Sequence, residues 1–392
     1  MSVAGIVAEY NPFHRGHAWQ IAQTRKMLGE DAGIICVMSG HWVQRGECAV
    51  TDKWSRARLA LAGGADLVLE LPTPWAASSA EFFARGAVSI LAATGVVDTL
   101  SFGSERGEIA PLRRIAQCLE SPAFQEALRA LLPQGGSFAA CRQRAADALL
   151  GSEIAAYLAK PNDNLAVEYL RALPPQIHPL AIPRIGAEHD GSPVEGYASA
   201  SALRSMLRRG TAEQAAPYLT QPWTGLAAAL DFCERAVLAR LRSMTLADFQ
   251  ALPDSGEGLA ARLQRAAQAG RSLEEVYTLA KTKRYAHARL RRMVLWAFLG
   301  MTVEDRPKEV PYLRVLGFGH RGQALLRDMR TSASRPVLLK PAHIRRLSPA
   351  AQRLFALESR CTDLFALCYS QPGPCGLEFT TGPVVAEREK GD

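Results

Sequence analysis

Short apolar runs alternate with amphipathic segments along the first hundred residues of the chain. This alternation is typical of βαβ units built on a parallel sheet. It predicts strands at Val3–Ala8, Gly33–Met38, Leu67–Leu71, Thr99–Phe102 and, further on, His178–Pro183, followed by a polar turn at Gly186–Gly191. It predicts helices at His17–Leu28, Asp52–Ala62, Ser79–Ala93, across most of Ile109–Ala156, and from near Ser199. We therefore expect an α/β domain over residues 1–220.

The pattern changes after about Gln221, where strand-like runs nearly vanish and long amphipathic helices follow one another. The apolar periodicity predicts helices at Gly225–Met244, Gly258–Ala269, Leu273–Thr282 and His287–Phe298. A chain of 392 residues also exceeds what one hydrophobic core usually organises. We expect a second, mostly helical domain over residues 221–392, with a disordered tail at Glu387–Asp392.

The composition is that of an ordinary globular protein, with 48% hydrophobic and 21% charged residues. No apolar run reaches the ~20 residues that a membrane helix needs, and the first residues lack the pattern of a secretion signal. The eight cysteines include no C-x-x-C pair, and Cys361, Cys368 and Cys375 stand at spacings of seven that fit no zinc pattern. We expect buried thiols, no metal site and a cytoplasmic location.

The positive charge lies in one region of the chain. Residues 281–346 contain sixteen Lys or Arg against four Asp or Glu, a net charge of +12. Because the whole chain carries +8, the remainder carries −4. Such a region predicts a surface that binds a polyanion, although charge alone is equally compatible with a solvated surface.

The most informative segment joins the first predicted strand to the helix after it. It reads GIVAEYNPFHRGH from Gly5 to His17, with a break at Asn11-Pro12. Ligands of open α/β sheets lie beyond the carboxyl end of a strand, where the next helix presents free N–H groups to an anion. Gly16 lets the backbone approach a phosphate, and His14 and His17 fall on one side of the first turn. Both imidazoles can therefore donate hydrogen bonds to one phosphate.

Two such donors suit the displacement of pyrophosphate from a nucleotide. Negative charge gathers on the leaving group as the α-phosphate is attacked, and preorganised donors lower that barrier without a covalent intermediate. A histidine near a helix start is more often a cap or a surface residue, but here the strand, the Pro turn, the H-x-G-H and the helix coincide. We therefore predict that His14 and His17 take part in catalysis.

The H-x-G-H after the first strand resembles the signature of the nucleotidyltransferase superfamily, whose members attack the α-phosphate of a nucleotide. A fuller resemblance is to the tRNA(Met) cytidine acetate ligase family. It rests on the blocks EYNPFHRGH, MSGHWVQRGE, DLVLELP, FGSE, PNDNLAVEYL, TKRYAHARLRR and PYLRVLGF, spread over roughly residues 1–326. The resemblance implies a Rossmann-like parallel sheet of the HxGH nucleotidyltransferase type with a C-terminal helical domain that binds tRNA.

The resemblance also implies a ligase that works in two steps. Acetate and ATP would give acetyl-adenylate and pyrophosphate, and the acetyl group would then pass to N4 of the wobble cytidine of elongator tRNA(Met). Mg²⁺ would arrive with ATP, since no dedicated cage of carboxylates is evident. The residues alone leave two alternatives: a small-molecule adenylyltransferase that makes a nucleotide cofactor, and an RNA-binding protein with a vestigial nucleotide site.

The resemblance places ATP contacts on one continuous segment and on three distant residues. They are Val7, Ala8, Glu9, Tyr10, Asn11, Pro12, Phe13, His14, Arg15, Gly16, His17, Ala18, Trp19, Gln20, Gly103, Asn162 and Arg184. Gly103 follows a predicted strand, where a missing side chain leaves room for a nucleotide, and a simple turn glycine is the alternative. Arg184 ends another predicted strand and could neutralise phosphate or carboxylate, with a surface arginine as the alternative.

The segment from Tyr197 to Arg204 resembles the second signature of the superfamily, in which small hydroxyl residues open a helix. Ser199 or Ser201 would donate hydrogen bonds to the β- and γ-phosphates, and Arg204 would add positive charge. An ordinary helix cap is the alternative for these serines.

Three residues depart from the family pattern. Arg15 stands where the family usually has a neutral Asn between the histidine and the glycine, and Asp163 and Asn164 alter the PNDN block. The second departure puts the nucleobase or ribose contacts in doubt and favours Asn162 over Asn164 as a contact.

The last predicted helix, taken from near Thr282, carries the predicted tRNA contacts Lys283, Arg284, Arg291 and Arg292. These stand beside Tyr285 and His287, a mixture that can grip phosphates and stack on an exposed base. The opposite face, which includes Leu290 and Phe298, is apolar and is expected to pack on the core.

Overall fold

The computed structural model describes residues 1–185 and 196–386. The turn predicted at Gly186–Gly191 and the tail predicted at Glu387–Asp392 lie outside these residues. The strands are β1 Val3–Ala8, β2 Gly33–Ser39, β3 Trp42–Val43, β4 Glu47–Cys48, β5 Leu67–Leu71, β6 Thr99–Ser104, β7 His178–Pro183, β8 Leu313–Phe318, β9 Val337–Leu338 and β10 Val384–Val385.

Helices make up most of the remaining described chain. The α-helices are α1 Arg15–Leu28, α2 Lys53–Ala62, α3 Thr73–Ala76, α4 Ala80–Ala93, α5 Ile109–Glu120, α6 Pro122–Leu131, α7 Phe138–Leu150, α8 Ser152–Ala155, α9 Pro161–Ala172, α10 Ala200–Arg208, α11 Ala212–Ala215, α12 Glu234–Ser243, α13 Leu246–Gln250, α14 Leu259–Ala269, α15 Leu273–Ala280, α16 His287–Leu299, α17 His320–Ser332, α18 Pro349–Phe365 and α19 Leu377–Thr380. Short 3-10 helices lie at Leu132–Gln134, Ala156–Ala159, Ala216–Tyr218, Leu230–Cys233, Val303–Asp305, Pro341–Arg346 and Ala366–Cys368. Among the described residues, each helix is too short or too polar to cross a membrane.

The strands form one central sheet in the order β10-β8-β5-β2-β1-β6-β7, with β9 paired to β8. Strands β5, β2, β1, β6 and β7 run parallel to one another. Their carboxyl ends therefore meet at one edge of the sheet, where ligands of such folds bind. The predicted α/β fold with a parallel sheet is confirmed, and helices cover both faces of this sheet.

The C-terminal half of the chain adds strands to this sheet, which the sequence pattern did not predict. Strand β8 pairs antiparallel with β5, and β9 and β10 pair parallel with β8. Residues 313–317 of β8 are buried, because the strand lies between two neighbours and under helices. The boundary expected at residue 220 therefore does not separate the sheet from the helices, since both halves of the chain build the sheet.

The helix predicted at Gly225–Met244 is shorter in the structure. Only Glu234–Ser243 is α-helical, after a single 3-10 turn. The backbone N–H groups of Ala228 and Ala229 donate to the carbonyl oxygens of Val50 and Cys368, each at 2.8 Å. Because those N–H groups bond to other segments, the chain stays extended where its periodicity predicted a helix.

Strand β1 lies at the centre of the sheet and packs closely on α4. A Cβ atom at Gly5 would lie 2.6 Å from Cδ1 of Leu91, so only glycine fits at this contact. The cluster of buried side chains on this face also includes Leu241, Leu263 and Trp296 of the C-terminal helices. One continuous core therefore supports the strand that leads into the predicted phosphate site.

All eight cysteines are free thiols. Seven are buried or partly buried, as expected for thiols that pack like small apolar side chains, and Cys375 is exposed. Cys368 lies with its sulfur 3.6 Å from that of Cys233, while Cys361 contacts the sulfur of Met301 at 3.9 Å. The three cysteines that are close in sequence therefore have different surroundings.

A buried cluster of charges connects α2 to the C-terminal segment. The Nζ atom of Lys53 lies 2.6 Å from a carboxylate oxygen of Glu70 and 2.6 Å from one of Glu378, and all three side chains are at most 3% exposed. Burial alone would lower the pKa of Lys53, but the carboxylates of Glu378 and Glu70 raise it above its usual value. The lysine stays charged and holds strand β5 and helix α19 together.

We predict that Lys53→Met lowers the free energy of unfolding by about 3–5 kcal/mol, because it leaves the buried carboxylate of Glu70 without its ion-pair partner and leaves Glu378 with Arg314 alone. Urea or guanidinium unfolding followed by circular dichroism measures this change. The control is Lys26→Met, at an exposed lysine near the end of α1, which is expected to change stability by less than about 0.5 kcal/mol. Equal unfolding midpoints for the two variants would contradict this assignment.

Candidate active site

A cavity of about 180 Å³ opens at the carboxyl ends of β1, β6 and β7. Most of its wall comes from residues that the family resemblance selected in five separate segments. These residues are Glu9, His14, Gly16, His17, Trp19, Gln20, Gly103, Asn162, Arg184, Ser199, Ser201 and Arg204. The structure therefore brings these twelve of the twenty predicted contacts together in one place.

His14 and His17 form one wall of this cavity at the start of α1. His14 is the N-terminal cap of the helix, and its Nδ1 atom accepts a hydrogen bond from the backbone N–H of Gly16 at 3.1 Å. The Nδ1 atom of His17 accepts from the backbone N–H of His14 at 3.3 Å. The two rings stack, with centroids 3.8 Å apart and an angle of 26° between their planes.

These hydrogen bonds determine which proton each ring carries. Since both Nδ1 atoms accept, the proton of each neutral imidazole lies on Nε2. Partial burial, followed by the positive charges of Arg184 and Arg204, lowers the pKa of His14 from 6.5 to about 3. Burial, His14 and Arg184 lower the pKa of His17 well below its usual value. Both rings are therefore neutral Nε2–H donors near pH 7.

Gly16 serves a purpose that the sequence pattern did not identify. A Cβ atom at this position would lie 2.9 Å from Cε1 and 3.1 Å from Nδ1 of His14. Contacts below 3.0 Å force a displacement, so any side chain here would move the imidazole. The missing side chain makes room for the His14 ring, whereas the sequence argument assigned that room to a phosphate.

The remaining residues between Val7 and Gln20 do not line the cavity. Tyr10 and Phe13 are buried, and the Tyr10 ring contacts the edges of the Phe13 and His17 rings at centroid distances of 4.8 and 4.9 Å. Tyr10 has a φ of 47°, a strained value for a residue with a side chain. These aromatic rings support His17 from behind. The other predicted contacts of this segment that do not line the cavity are Val7, Ala8, Asn11, Pro12, Arg15 and Ala18. Of these, Arg15 is exposed.

Asn11 connects the β1–α1 turn to the opposite wall of the cavity. Its side-chain oxygen accepts from the backbone N–H of Val50 at 2.7 Å, and its carbonyl oxygen accepts from Nη1 of Arg204 at 2.8 Å. The Nη2 atom of Arg204 donates to the hydroxyl of Ser201 at 3.1 Å. The guanidinium is therefore held in place at the cavity wall before any anion binds.

Ser199 caps helix α10, since its hydroxyl accepts from the backbone N–H of Ala202 at 3.2 Å. Ser199 is therefore a helix cap, the alternative to phosphate binding that the sequence allowed, and it also lines the cavity. The N-terminal end of α10 faces the same space as the two histidines. Two helix N-termini therefore direct their positive ends toward one cavity, an arrangement suited to an anion with several phosphates.

A chain of hydrogen bonds positions Arg184 on the β6–β7 side. The Nδ2 atom of Asn162 donates to Oε1 of Glu105 at 2.8 Å, and Nη1 of Arg184 donates to Oδ1 of Asn162 at 2.9 Å. Glu105 also accepts from the backbone N–H of Asp163 at 2.9 Å, at the start of α9. Glu105 therefore orients the Asn162 amide, a function that the FGSE block did not reveal by itself.

Asp163 and Asn164, the two residues that depart from the family pattern in the PNDN block, point away from the cavity. The Oδ1 atom of Asp163 accepts from the Ser104 hydroxyl at 2.6 Å and from the Glu105 backbone N–H at 3.0 Å. Burial, with the neighbouring carboxyl of Glu105, raises the pKa of Asp163 to about 6. Asn164 accepts instead from Nη1 of Arg142 at 3.0 Å. Neither residue lines the cavity, so the altered block leaves Asn162 as its cavity residue.

The four predicted tRNA contacts do not share one exposed surface. Helix α16 begins at His287, as the apolar periodicity predicted, and not near Thr282. Lys283 and Arg284 therefore lie exposed in the turn before it. Arg291 forms an ion pair with Glu47, and Arg292 lies 3.3 Å from Asp254. Tyr285 is 5% exposed and its hydroxyl donates to the backbone of Glu257, so its ring is not available for stacking on a base.

Comparison with known proteins first defines the class. A family model described as HIGH Nucleotidyl Transferase matches residues 1–375. The tRNA(Met) cytidine acetate ligase of Syntrophomonas wolfei is 35% identical, over 98% of this chain and 99% of that protein. The ligase of the same name from Acetivibrio thermocellus is 34% identical, over 98% of this chain and its full length.

Solved structures agree with these relatives. The crystal structure of apo Thermotoga maritima TmcAL superposes with a TM-score of 0.90 at 30% identity, over 98% of this chain and 99% of that one. The same protein bound with alpha-thio ATP gives a TM-score of 0.88. The fold and the H-x-G-H cavity thus define a HIGH nucleotidyl transferase. Within that class, the chain belongs to the tRNA(Met) cytidine acetate ligase family.

We predict that Gly16→Ala lowers the turnover of ATP in the presence of acetate by about 100-fold, because the new Cβ displaces the His14 ring. Stability is expected to hold, since alanine in place of glycine favours a helix by about 1 kcal/mol. Pyrophosphate release and thermal unfolding measure the two effects. Gly256→Ala is the matched control, because open space surrounds Gly256. Wild-type turnover in Gly16→Ala would refute the conclusion that catalysis requires the His14 ring in this position.

Proposed function

We propose that this protein is an ATP-dependent ligase that acetylates N4 of the wobble cytidine of elongator tRNA(Met) through an acetyl-adenylate. One observation carries the proposal. In a member of this ligase family, two neutral imidazole donors, the three arginines Arg45, Arg184 and Arg204, and two helix N-termini face a single cavity. That set of groups suits a nucleoside triphosphate whose α-phosphate is attacked by a carboxylate.

The first step follows from the charge balance of the cavity. Arg184 and Arg204 supply positive charge, while the H-x-G-H and the start of α10 supply donors to phosphate oxygens. As acetate attacks the α-phosphate, negative charge builds on the departing pyrophosphate. Nε2–H groups of neutral histidines stabilise that charge without losing a proton. Because both donors are held by backbone hydrogen bonds, little reorganisation is needed during the reaction.

We propose that Mg²⁺ enters with ATP and is not held on a site of its own. Within the described part of the chain, no group of three His, Cys, Asp or Glu side chains is placed to share a metal ion. Mg²⁺ is commonly held by substrate phosphates and one or two carboxylates. When bound, it would neutralise phosphate charge, and the steps assigned here to protein residues do not depend on its position.

The C-terminal segment, residues 221–392, is proposed to bind tRNA, with the sheet domain supplying the chemistry. Lys283 and Arg284 are exposed on the turn before α16. Arg291 and Arg292 already have acidic partners, so they are expected to contribute less to phosphate binding. Exposed cations contribute affinity by releasing counterions from the nucleic acid.

We predict that His14→Ala lowers acetylation of tRNA at least about 100-fold, since a preorganised transition-state donor is lost. Labelled acetate, ATP and tRNA(Met) are incubated with the enzyme, and label in acid-precipitable RNA is counted together with AMP release. Binding of tRNA, measured on filters, is expected to stay the same. His178→Ala, at an exposed residue where β7 begins, is the control. Label in a new dinucleotide instead of RNA would favour a cofactor adenylyltransferase.

We predict that Lys283→Ala combined with Arg284→Ala weakens tRNA binding and reduces the slope of log affinity against log salt by about one to two, as expected for two lost phosphate contacts. Filter binding between low and moderate salt measures the slope. The matched control replaces Lys26 and Arg58, which are exposed on α1 and α2, by Ala. A slope that is the same in the pair and in its control would remove this turn from the tRNA surface.

A further inference from the structure

Glu9 is the only carboxylate among the described residues that line the cavity. It follows β1 directly, and its Oε1 atom accepts from the backbone N–H of Gln44 at 2.8 Å. Its negative charge also acts on the guanidinium groups of Arg56 and Arg204. A carboxylate opposes the binding of ATP and acetate, which are both anions. Its place in the wall therefore needs a different explanation.

The sheet order shows on which side of the cavity Glu9 stands. Strand β1 lies between β2 and β6, and Gln44 lies in the turn between β3 and β4, the two short strands that follow β2. Gly103, Asn162 and Arg184 follow or flank β6 and β7 on the other side. The proposed ATP contacts Gly103, Asn162 and Arg184 therefore lie on one side of β1. The Glu9 carboxylate is held toward the other side, where its charge also acts on the guanidinium of Arg204.

The loop that holds Glu9 also touches the helical half of the chain. Gly46 has a φ of 74°, and a Cβ there would lie 2.5 Å from the backbone of Arg291 and of Arg292. Its neighbour Glu47 forms an ion pair with Arg291. The turn that positions the Glu9 carboxylate is therefore anchored to helix α16 of the C-terminal half.

The second step of the reaction requires a proton acceptor. The lone pair of the cytosine N4 amine is delocalised into the ring, so the nitrogen becomes acidic only as it bonds to a carbonyl carbon. His14 and His17 cannot accept this proton, because their Nδ1 atoms already accept backbone hydrogen bonds and their Nε2 atoms carry protons. Carboxylates, by contrast, are natural acceptors for the N4 amine of cytosine.

We propose that the Glu9 carboxylate binds the N4 amine of the acceptor cytidine and removes its proton during acetyl transfer, an inference that rests on the proposed function. The N4 atom bonds to the acetyl carbonyl carbon, and its proton passes to Glu9. The bond between that carbon and the phosphate oxygen breaks, and AMP leaves with the electron pair. Glu9 then releases the proton to solvent.

Separate measurement of the two steps tests this assignment. Hydroxylamine intercepts acetyl-adenylate without a cytidine, so hydroxamate formation from acetate and ATP reports the first step. Acetylcytidine in tRNA at saturating tRNA reports both steps. In Glu9→Gln, the ratio of the tRNA rate to the hydroxamate rate is expected to fall about 100-fold or more, the usual contribution of a general base. Glu9→Asp keeps a carboxylate and is expected to recover part of the ratio.

Glu105→Gln is the reciprocal control, because Glu105 acts through Asn162 on the ATP side. It is expected to lower both rates together and to leave their ratio within about tenfold of the wild type. The proposal is overturned if Glu9→Gln changes the ratio of the tRNA rate to the hydroxamate rate by less than about tenfold. This holds if both rates fall together, as expected for a Mg²⁺ ligand, and also if neither rate falls. If the wild-type protein acetylates no tRNA, the proposed function fails instead. Thermal unfolding confirms that each variant is folded.

Discussion

The imidazole rings of His14 and His17 are held by the backbone of the helix that they begin, and the site depends on this constraint. Each Nδ1 atom accepts a backbone N–H, so each ring presents Nε2–H as its donor. A protonated ring could not accept this bond, which adds to the effect of burial on the pKa. Gly16 leaves the space for the first ring, and Tyr10 and Phe13 support the second. The donors are therefore ready before a nucleotide arrives.

Arg184 and Arg204, two of the arginines that line the cavity, are positioned in the same manner, through hydrogen bonds to neutral partners. Arg204 donates to a carbonyl oxygen and a hydroxyl, and Arg184 donates to an amide oxygen. These hydrogen bonds to neutral groups fix the direction of each guanidinium without neutralising its positive charge, which can then attract phosphates. Glu105 stabilises the position of Arg184 indirectly, because it accepts a hydrogen bond from the Asn162 amide to which Arg184 donates.

Local patterns predicted the five parallel strands within two residues, because each is a short apolar run bounded by polar turns. They missed β8, which depends on pairing with β5, a strand that lies more than two hundred residues earlier in the chain. At the site, the motifs selected the cavity residues through family resemblance. Glu105 was missed, because its hydrogen bond spans 57 residues and leaves no local signal. The role of Gly16 could not be predicted, because it depends on the position of the His14 ring, which residue spacing does not reveal.

Arg56 holds the chain segments on the two sides of the cavity in fixed positions relative to one another. Its guanidinium is buried and donates to carbonyl oxygens of Glu9, Ser39, Gly40 and Thr51. These carbonyls stand where β1 and β2 end, and in the loop before α2, so one cation holds three chain segments together. Carbonyl oxygens cluster there because parallel strands end at the same edge, and burial would leave them unsatisfied without such a donor. The backbone at Glu9 is therefore fixed from below by Arg56, while its carboxylate is oriented from the side by Gln44.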